Sequence, residues 1–369
     1  MALEAQIDIG AGGAGVAAAS QTGGWDVARG EDRAMLQAAA ALQRELGKPL
    51  ARFYWPDFFL SAGLGYGALA LAIAGVHPLV TAAAVVVAIL ALYRAALFIH
   101  ELTHLRSGAL PGFRIAWNLV LGIPMMVPSF LYEGVHNVHH LRTKYGTPED
   151  PEYLALARMS PWSLPVFLLI SVLAPVALLL RFGLLGPLSF VIPPLRRFVV
   201  ESCSALEINM EFKRPAPTGS FRRDWLVQEV ATSVWTIGLF ALTVAGTVPL
   251  RAYLFYLGTL SGVALLNQVR TLVAHVWESE GETMTITAQY LDSVNVPPPG
   301  ILPLLWAPVG LRYHALHHLL PNMPYHALEE AHRRLSTTLG ARSAYHGANY
   351  RGITWLLIRM IREPAHRTG

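Results

Sequence analysis

The sequence predicts an all-α integral membrane protein: two transmembrane helical hairpins, four core spans in all, beneath a helical domain that stands outside the bilayer. Three observations lead there. Only 14% of the 369 residues are charged and 53% are hydrophobic, whereas a soluble domain carries about 25% charged residues. Apolar runs long enough to cross a hydrocarbon core of about 30 Å come in two tightly joined pairs. Eight of the fourteen histidines fall into three short clusters in the polar segments that follow or separate those runs.

In chain order, residues 1–24 are rich in Gly and Ala and lack both a basic start and a compact apolar core. They read as a disordered tail and not as a signal peptide, with residues 25–369 forming one membrane domain. Residues 35–45 have the spacing of a short amphipathic helix, lying on the membrane or on the outer domain. Runs 58–76 and 79–99 are separated only by His77-Pro78 and form the first hairpin. Arg94 lies inside the second run, so it is expected to snorkel or to point into the bundle. Run 116–132 is broken by Gly122, Pro124 and Pro128 and is flanked by histidine clusters. A full crossing would put those clusters on opposite sides, so this run is expected to be a broken helix at the interface or in the outer domain.

Residues 164–195 are apolar but contain Pro187, Pro193 and Pro194. They suit either an extra short hairpin dipping into the bilayer or two interfacial helices, and the sequence leaves the choice open. Runs 230–247 and 252–269 form the second hairpin, and the second of these helices is expected to continue through Arg270 to His275. Nearly all Lys and Arg lie outside the hairpin turns, which contribute only Arg251. The positive-inside rule then places both termini and all three clusters in the cytoplasm. The lone Cys203 excludes an internal disulfide or a four-cysteine metal site. The net charge of +4 is modest, and no nucleic-acid partner is expected.

The clusters are His100-Glu101-Leu102-Thr103-His104, His136-Asn137-Val138-His139-His140 and His314-Ala315-Leu316-His317-His318. On a helix, positions i, i+3 and i+4 share a face, so each cluster can aim two or three imidazoles at one point. Neutral imidazole suits iron, copper, nickel or zinc. Eight converging rings are too many for one ion and about right for two, which makes the cytoplasmic helical domain the holder of a metal centre. His77, His326, His332, His346 and His366 stand outside the pattern and are expected to be ordinary hydrogen-bonded residues. Read alone, the first cluster is also HExxH, a zinc-protease signature. The longer form of that motif fails at Ser107 and Leu110, and a protease would leave two HxxHH clusters without purpose. A non-catalytic metal transporter would place its histidines along a path within the spans, and here they gather on one side.

Together the three clusters resemble the histidine boxes of the membrane fatty acid desaturase/hydroxylase superfamily, most of all bacterial-type acyl-lipid desaturases. The segment from His317 to Leu328 is similar to the HHLxPxxPxxxL of many desaturases, and the resemblance covers about residues 55–340. It implies two non-haem iron ions, O2 as co-substrate and a ninth histidine near the cytoplasmic end of the last span, where His275 stands. The implied ligands are His100, His104, His136, His139, His140, His275, His314, His317 and His318, with no catalytic residue beyond them. In acyl-CoA desaturases an Asn precedes the ninth histidine by four; here that position is Thr271, and the nearest Asn is Asn267. Ligating imidazoles normally donate their second N–H to a carboxylate or carbonyl. Glu101, Glu149, Asp150, Glu152 and Asp292 are candidates, with Asp150 and Asp292 preferred.

The expected reaction is O2-dependent desaturation, placing a double bond in a fatty acyl chain of a lipid. The alternative is a hydroxylase or ketolase of the same superfamily acting on an acyl chain, sphingolipid or carotenoid. Trp117, Phe130, Trp235, Tyr256 and Trp277 are candidates to line an apolar substrate tunnel. Electrons have to come from a separate ferredoxin, cytochrome b5 or flavoprotein reductase. The haem motif HPGG is absent, since His77-Pro78 continues as Leu79-Val80, and the chain has neither ferredoxin cysteines nor a GxGxxG turn.

Overall fold

A bilayer offers no water to the backbone, so long apolar segments must satisfy their own N–H and C=O groups, and helices do this. The computed structural model describes residues 30–155, 159, 162–279, 281–354 and 358, and among them there is no strand, only isolated bridges. The tail expected at residues 1–24 and His366 lie outside the described residues.

Helix α1 (Arg33–Leu46) starts at Asp32, whose side chain accepts from the Met35 amide. It buries Met35, Ala39 and Leu42 in one core with Leu316, Leu319 and Leu335, so it packs on the helix that carries the third histidine cluster. Helices α2 (Ala51–Ala74) and α3 (Pro78–Ala96) form the first hairpin. The turn uses Gly75 in the left-handed region (φ 65°), and His77 caps α3 by accepting from the Leu79 amide ahead of Pro78. Arg94 turns inward and forms a fork with Asp57 of α2, at 2.8 and 2.6 Å. After a one-residue break at Leu97 the chain continues as α4 (Phe98–His104), and the stretch Pro78–His104 counts as one 27-residue span.

Helix α5 (Phe113–Trp117) runs into a π-turn at Asn118–Gly122, and a 3-10 turn follows at Ser129–Leu131. This is the broken helix the prolines predict. Asn118 ties the break together: its Nδ2 donates to Ser129 Oγ (2.9 Å) and its Oδ1 accepts from the Ser129 amide (2.8 Å). The short α6 (His136–His139) comes next.

Helices α7 (Ser163–Val172), α8 (Ala174–Leu180) and α9 (Gly186–Ser189) form a bent apolar unit, α8 and α9 being joined by the π-turn Arg181–Leu185. The bend, 49° between Pro165–Val172 and Ala174–Ser189, is that of a broken span or a re-entrant loop. It falls at Leu173. Pro175 explains the position: it lacks an N–H for the preceding turn and is tolerated only at a helix start. Helix α10 (Pro193–Ser202) likewise opens on prolines.

The second hairpin consists of α11 (Gly219–Val244) and α12 (Leu250–Leu272). Helix α11 begins eleven residues before its apolar run, because a polar first stretch is also helical and buries Trp225, Gln228 and Glu229. Helix α12 stops at Leu272, short of the expected His275. After it come the shorter helices α13 (Ile286–Leu291), α14 (Pro303–Trp306), α15 (His314–Leu319) and α16 (Leu328–Thr338). Among the described residues, four helical stretches are long and apolar enough to cross a membrane: Ala51–Ala74, Pro78–His104, Gly219–Val244 and Leu250–Leu272. Their outer faces expose Leu60, Leu64, Val234, Phe240 and Leu254, as suits contact with lipid chains.

Glu229 is fully buried between two arginines. Arg181 donates to its Oε1 at 2.6 Å, and Arg196 forks onto both oxygens at 2.9 and 2.8 Å. Removing one member of such a group strands the others without compensation, at a cost of about 3–5 kcal/mol. Glu229→Ala is therefore expected to lower the thermal unfolding midpoint in detergent far more than Glu201→Ala, whose carboxylate pairs with the exposed Arg197.

Candidate metal centre

Each histidine cluster is a short helix, and the first continues directly from a long one. Helix α4 leaves the first hairpin directly, with His100 and His104 one turn apart. Helix α6 carries His136 and His139, and His140 is its C-cap. Helix α15 carries His314, His317 and His318. His275 comes just after α12 in a backbone bridge to Ser293, held by Val276 N to Asp292 O (2.7 Å) and Val294 N to Ala274 O (2.9 Å). The sequence places His275 on the helix; the structure places it on this bridge.

The nine rings divide into two sets. His100, His104, His136, His140 and His317 form one; His139, His275, His314 and His318 form the other; in each, the donor atoms lie within 4.8 Å of one another. The division follows helical geometry. Residues i and i+4 point nearly the same way, so 100/104, 136/140 and 314/318 stay together. The i+3 members, His139 and His317, turn aside into the other set.

The ring nitrogens face each other closely. His140 Nε2 is 2.9 Å from His136 Nε2 and 3.0 Å from His317 Nε2; His314 Nε2 is 3.0 Å from His275 Nε2 and 3.1 Å from His318 Nε2. Each such nitrogen has a single in-plane hydrogen or lone pair, so it can satisfy one of its two contacts and not both. A cation between the rings removes the conflict: two nitrogens bonded at about 2.1 Å and at right angles to one ion lie about 3 Å apart. Both ring nitrogens of His100 and of His104 are buried without a hydrogen-bond partner, as is Nδ1 of His314. The residues therefore fit two metal ions, one per set.

Burial foremost, and then neighbouring imidazoles, push His136, His140, His275, His314, His317 and His318 well below the usual histidine pKa. That favours the neutral form a metal requires. For His139 burial acts the same way, but the Asp150 carboxylate outweighs it and the pKa rises.

The second nitrogens are anchored. His139 Nδ1 lies 2.8 and 3.0 Å from the two oxygens of fully buried Asp150. His136 Nδ1 lies 2.8 Å from Glu152 Oε1 and 2.8 Å from the Tyr132 hydroxyl. His275 Nδ1 reaches Asp292 through a phenol: it donates to Tyr145 Oη (2.9 Å), which donates to Asp292 Oδ2 (2.8 Å), and Tyr153 Oη donates there as well (2.8 Å). Burial pushes Glu152 up to about 7 and Asp292 up to about 6.

Of the five carboxylate candidates, Asp150 and Glu152 therefore touch imidazoles, and Asp292 acts through Tyr145. Glu101 instead accepts from Tyr54 Oη (2.5 Å) and the Tyr325 amide (3.1 Å), and stays 3.9 Å from His100 Nδ1. Glu149 pairs with Lys144 at the surface. Tyr145 and Tyr153 carry no signal in the sequence, because they meet His275 and Asp292 from 130 and 139 residues away, whereas Tyr132 lies only four residues before His136.

The remaining described histidines have ordinary roles. His77 caps α3; His326 accepts from the Leu50 amide; His332 meets Tyr345 Oη; His346 Nε2 donates to the Leu339 carbonyl. Of the aromatic residues expected along a tunnel, Trp117 and Phe130 are fully buried core and Trp235 is 40% exposed. Tyr256 donates to the Pro124 carbonyl, and only Trp277 stands beside the site, its ring 5.1 Å from that of His275. A cleft of about 480 Å³, rimmed by Arg44, Lys48 and Arg106, reaches Glu101 and His104.

Residues 76–350 match the fatty acid desaturase family. The chain is also similar to a ceramide hydroxylase of Caulobacter vibrioides, 47% identical over 322 residues, which is 87% of this chain and 92% of the relative. No solved structure matches it. The relative overturns the expectation of an acyl-lipid desaturase. The boxes led to that expectation because the same imidazole set serves either outcome, so they hold no information about which one follows.

Second nitrogens held by carboxylates typically raise metal affinity 10- to 100-fold. Asp150→Asn is expected to weaken metal retention by about that factor, read as metal per chain after dialysis against graded chelator. Glu149→Gln should retain metal like the unaltered chain.

Proposed function

The chain belongs to the fatty acid desaturase family, and on that footing we propose that it hydroxylates a ceramide-type N-acyl lipid within the membrane. The family makes it a membrane oxidoreductase of lipid metabolism. The observation that carries the hydroxylase reading is the 47% identity to a ceramide hydroxylase across 92% of that protein. The two adjoining donor sets support a reaction that needs a pair of metals.

In this reading all nine imidazoles ligate two non-haem irons. Bound there, the irons would supply what no side chain offers: the oxidising power to attack an unactivated C–H bond. The balance is C–H plus O2 plus two electrons and two protons, giving C–OH and water. The chain's own groups do the rest. Asp150 and Glu152 hold His139 and His136 in orientation, and Tyr145 passes the same constraint from Asp292 to His275. Eight of the nine rings are buried, which keeps bulk water from the reacting centre; His104 is the partial exception.

We also read residues 25–369 as a single unit with its metal face in the cytoplasm, where the basic segments lie. The two electrons arrive from a separate acidic carrier. The cleft rimmed by Arg44, Lys48 and Arg106 approaches the least buried ligand and suits such a partner.

Two experiments test this. In a ceramide-producing bacterial host, expression should yield ceramide heavier by one oxygen atom, the added atom drawn from isotopically labelled O2, and His139→Ala should yield none. A product lighter by two hydrogens, or labelled from water, would overturn the proposal. With a limiting acidic ferredoxin as donor, turnover should fall as salt rises through the range where the Debye length shrinks from about 30 to about 8 Å. Turnover indifferent to salt would remove the steering argument.

A further inference from the structure

Arg270 is an unpaired cation in the wrong company. It sits in the last turn of α12, and its side chain is turned inward, 8% exposed. Its hydrogen-bonding partner is the neutral hydroxyl of Thr271, 2.9 Å from Nη2, and its Nε is buried without any partner. The other buried arginines are compensated. Arg181 pairs with Glu229, and Arg214 donates to the carbonyls of Phe130, Ser204 and Glu133. No carboxylate pairs with Arg270 among the described residues.

Its surroundings sharpen the question. The charge of Arg270 bears on His275 and His314 in one donor set and on Glu152, which holds a ring of the other. A guanidinium has five donors and no lone pair and stays protonated, so it cannot ligate a metal. It also repels any cation held by the imidazoles. The Glu152 carboxylate attracts it from beyond ion-pair distance, but its open donor at Nε is used only if an oxygen acceptor comes to it. Since α12 spans the bilayer, its end lies at the level where lipid chains give way to polar groups. The acceptor that arrives at that depth on an N-acyl lipid is the amide carbonyl.

We propose that Arg270 binds the amide carbonyl oxygen of the lipid substrate and thereby sets which carbons meet the metal pair. This rests on the hydroxylase reading above and adds a position to it: the hydroxyl enters close to the amide and not far along the chain. Arg270 is thus a substrate-positioning and specificity-determining residue.

The test separates carbonyl recognition from stability and from metal binding. A fluorescent lipid bound to the full-length protein in detergent is displaced by a ceramide or by a chain-matched long-chain alcohol that lacks the carbonyl. The unaltered protein should prefer the ceramide by about 10- to 100-fold, the range of a hydrogen bond to a charged group. Arg270→Met should abolish that preference, leaving affinity for the alcohol and the iron-to-chain ratio unchanged. Arg270→Gln gives the same readout with a polar group kept at the buried site, should the methionine variant misfold. Product fragmentation should place the hydroxyl near the amide. An undiminished preference in the variants, or a hydroxyl deep in the chain, overturns the proposal and leaves the hydroxylase reading standing. A preference lost in the variants, with no hydroxylated product from the unaltered chain, does the reverse.

Discussion

The structure depends on holding nine imidazoles so close that their ring nitrogens cannot all be satisfied by one another. Contacts of 2.9–3.1 Å run His136–His140–His317 in one set and His275–His314–His318 in the other. Such an arrangement is unfavourable in the absence of cations, so the fold must impose it from outside. It does so by attaching each short histidine helix to something rigid. Helix α4 is fused to a span, α15 is packed in the core that contains α1 and α16, and His275 is clamped by a backbone bridge.

Orientation is then enforced from behind the rings. Asp150, Glu152 and the Tyr145–Asp292 relay grip the far nitrogens, so the near ones have little freedom to turn away. These anchors are themselves tied down. Asp150 accepts from the amides of Gly146 and Glu152, and Asp292 accepts from the amide of Glu278. A buried polar network of this kind is favourable only when its members are satisfied. Among the nine rings, those of His100 and His104 are left without any hydrogen-bond partner.

Charge inside the apolar part of the molecule follows the same logic. Arg94 meets Asp57 across the first hairpin, and Glu229 is shared by Arg181 and Arg196 where α11 meets the bent helix. Both groups tie helices together with partners distant in the chain. Arg270 departs from this pattern, which is why it reads as belonging to a substrate and not to the scaffold.

Local sequence determined the helices, the two hairpins and the eight box histidines, because apolar run length and the 3.6-residue period are properties of neighbouring residues. The spacing alone aimed i, i+3 and i+4 at one point, and it is the structure that sends i and i+4 to one set and i+3 to the other. Tertiary structure decided what comes from far away: which box joins which, the bridge that supplies His275, and the tyrosines behind the rings. It also chose among the carboxylates, taking Asp150 and Glu152 directly and leaving Glu101 and Glu149 to other partners. Those pairings join residues far apart in the chain, 147 positions for Tyr145 and Asp292 and 177 for His140 and His317. Periodicity along the chain cannot specify them, because it reports which face a residue occupies and not what that face will meet.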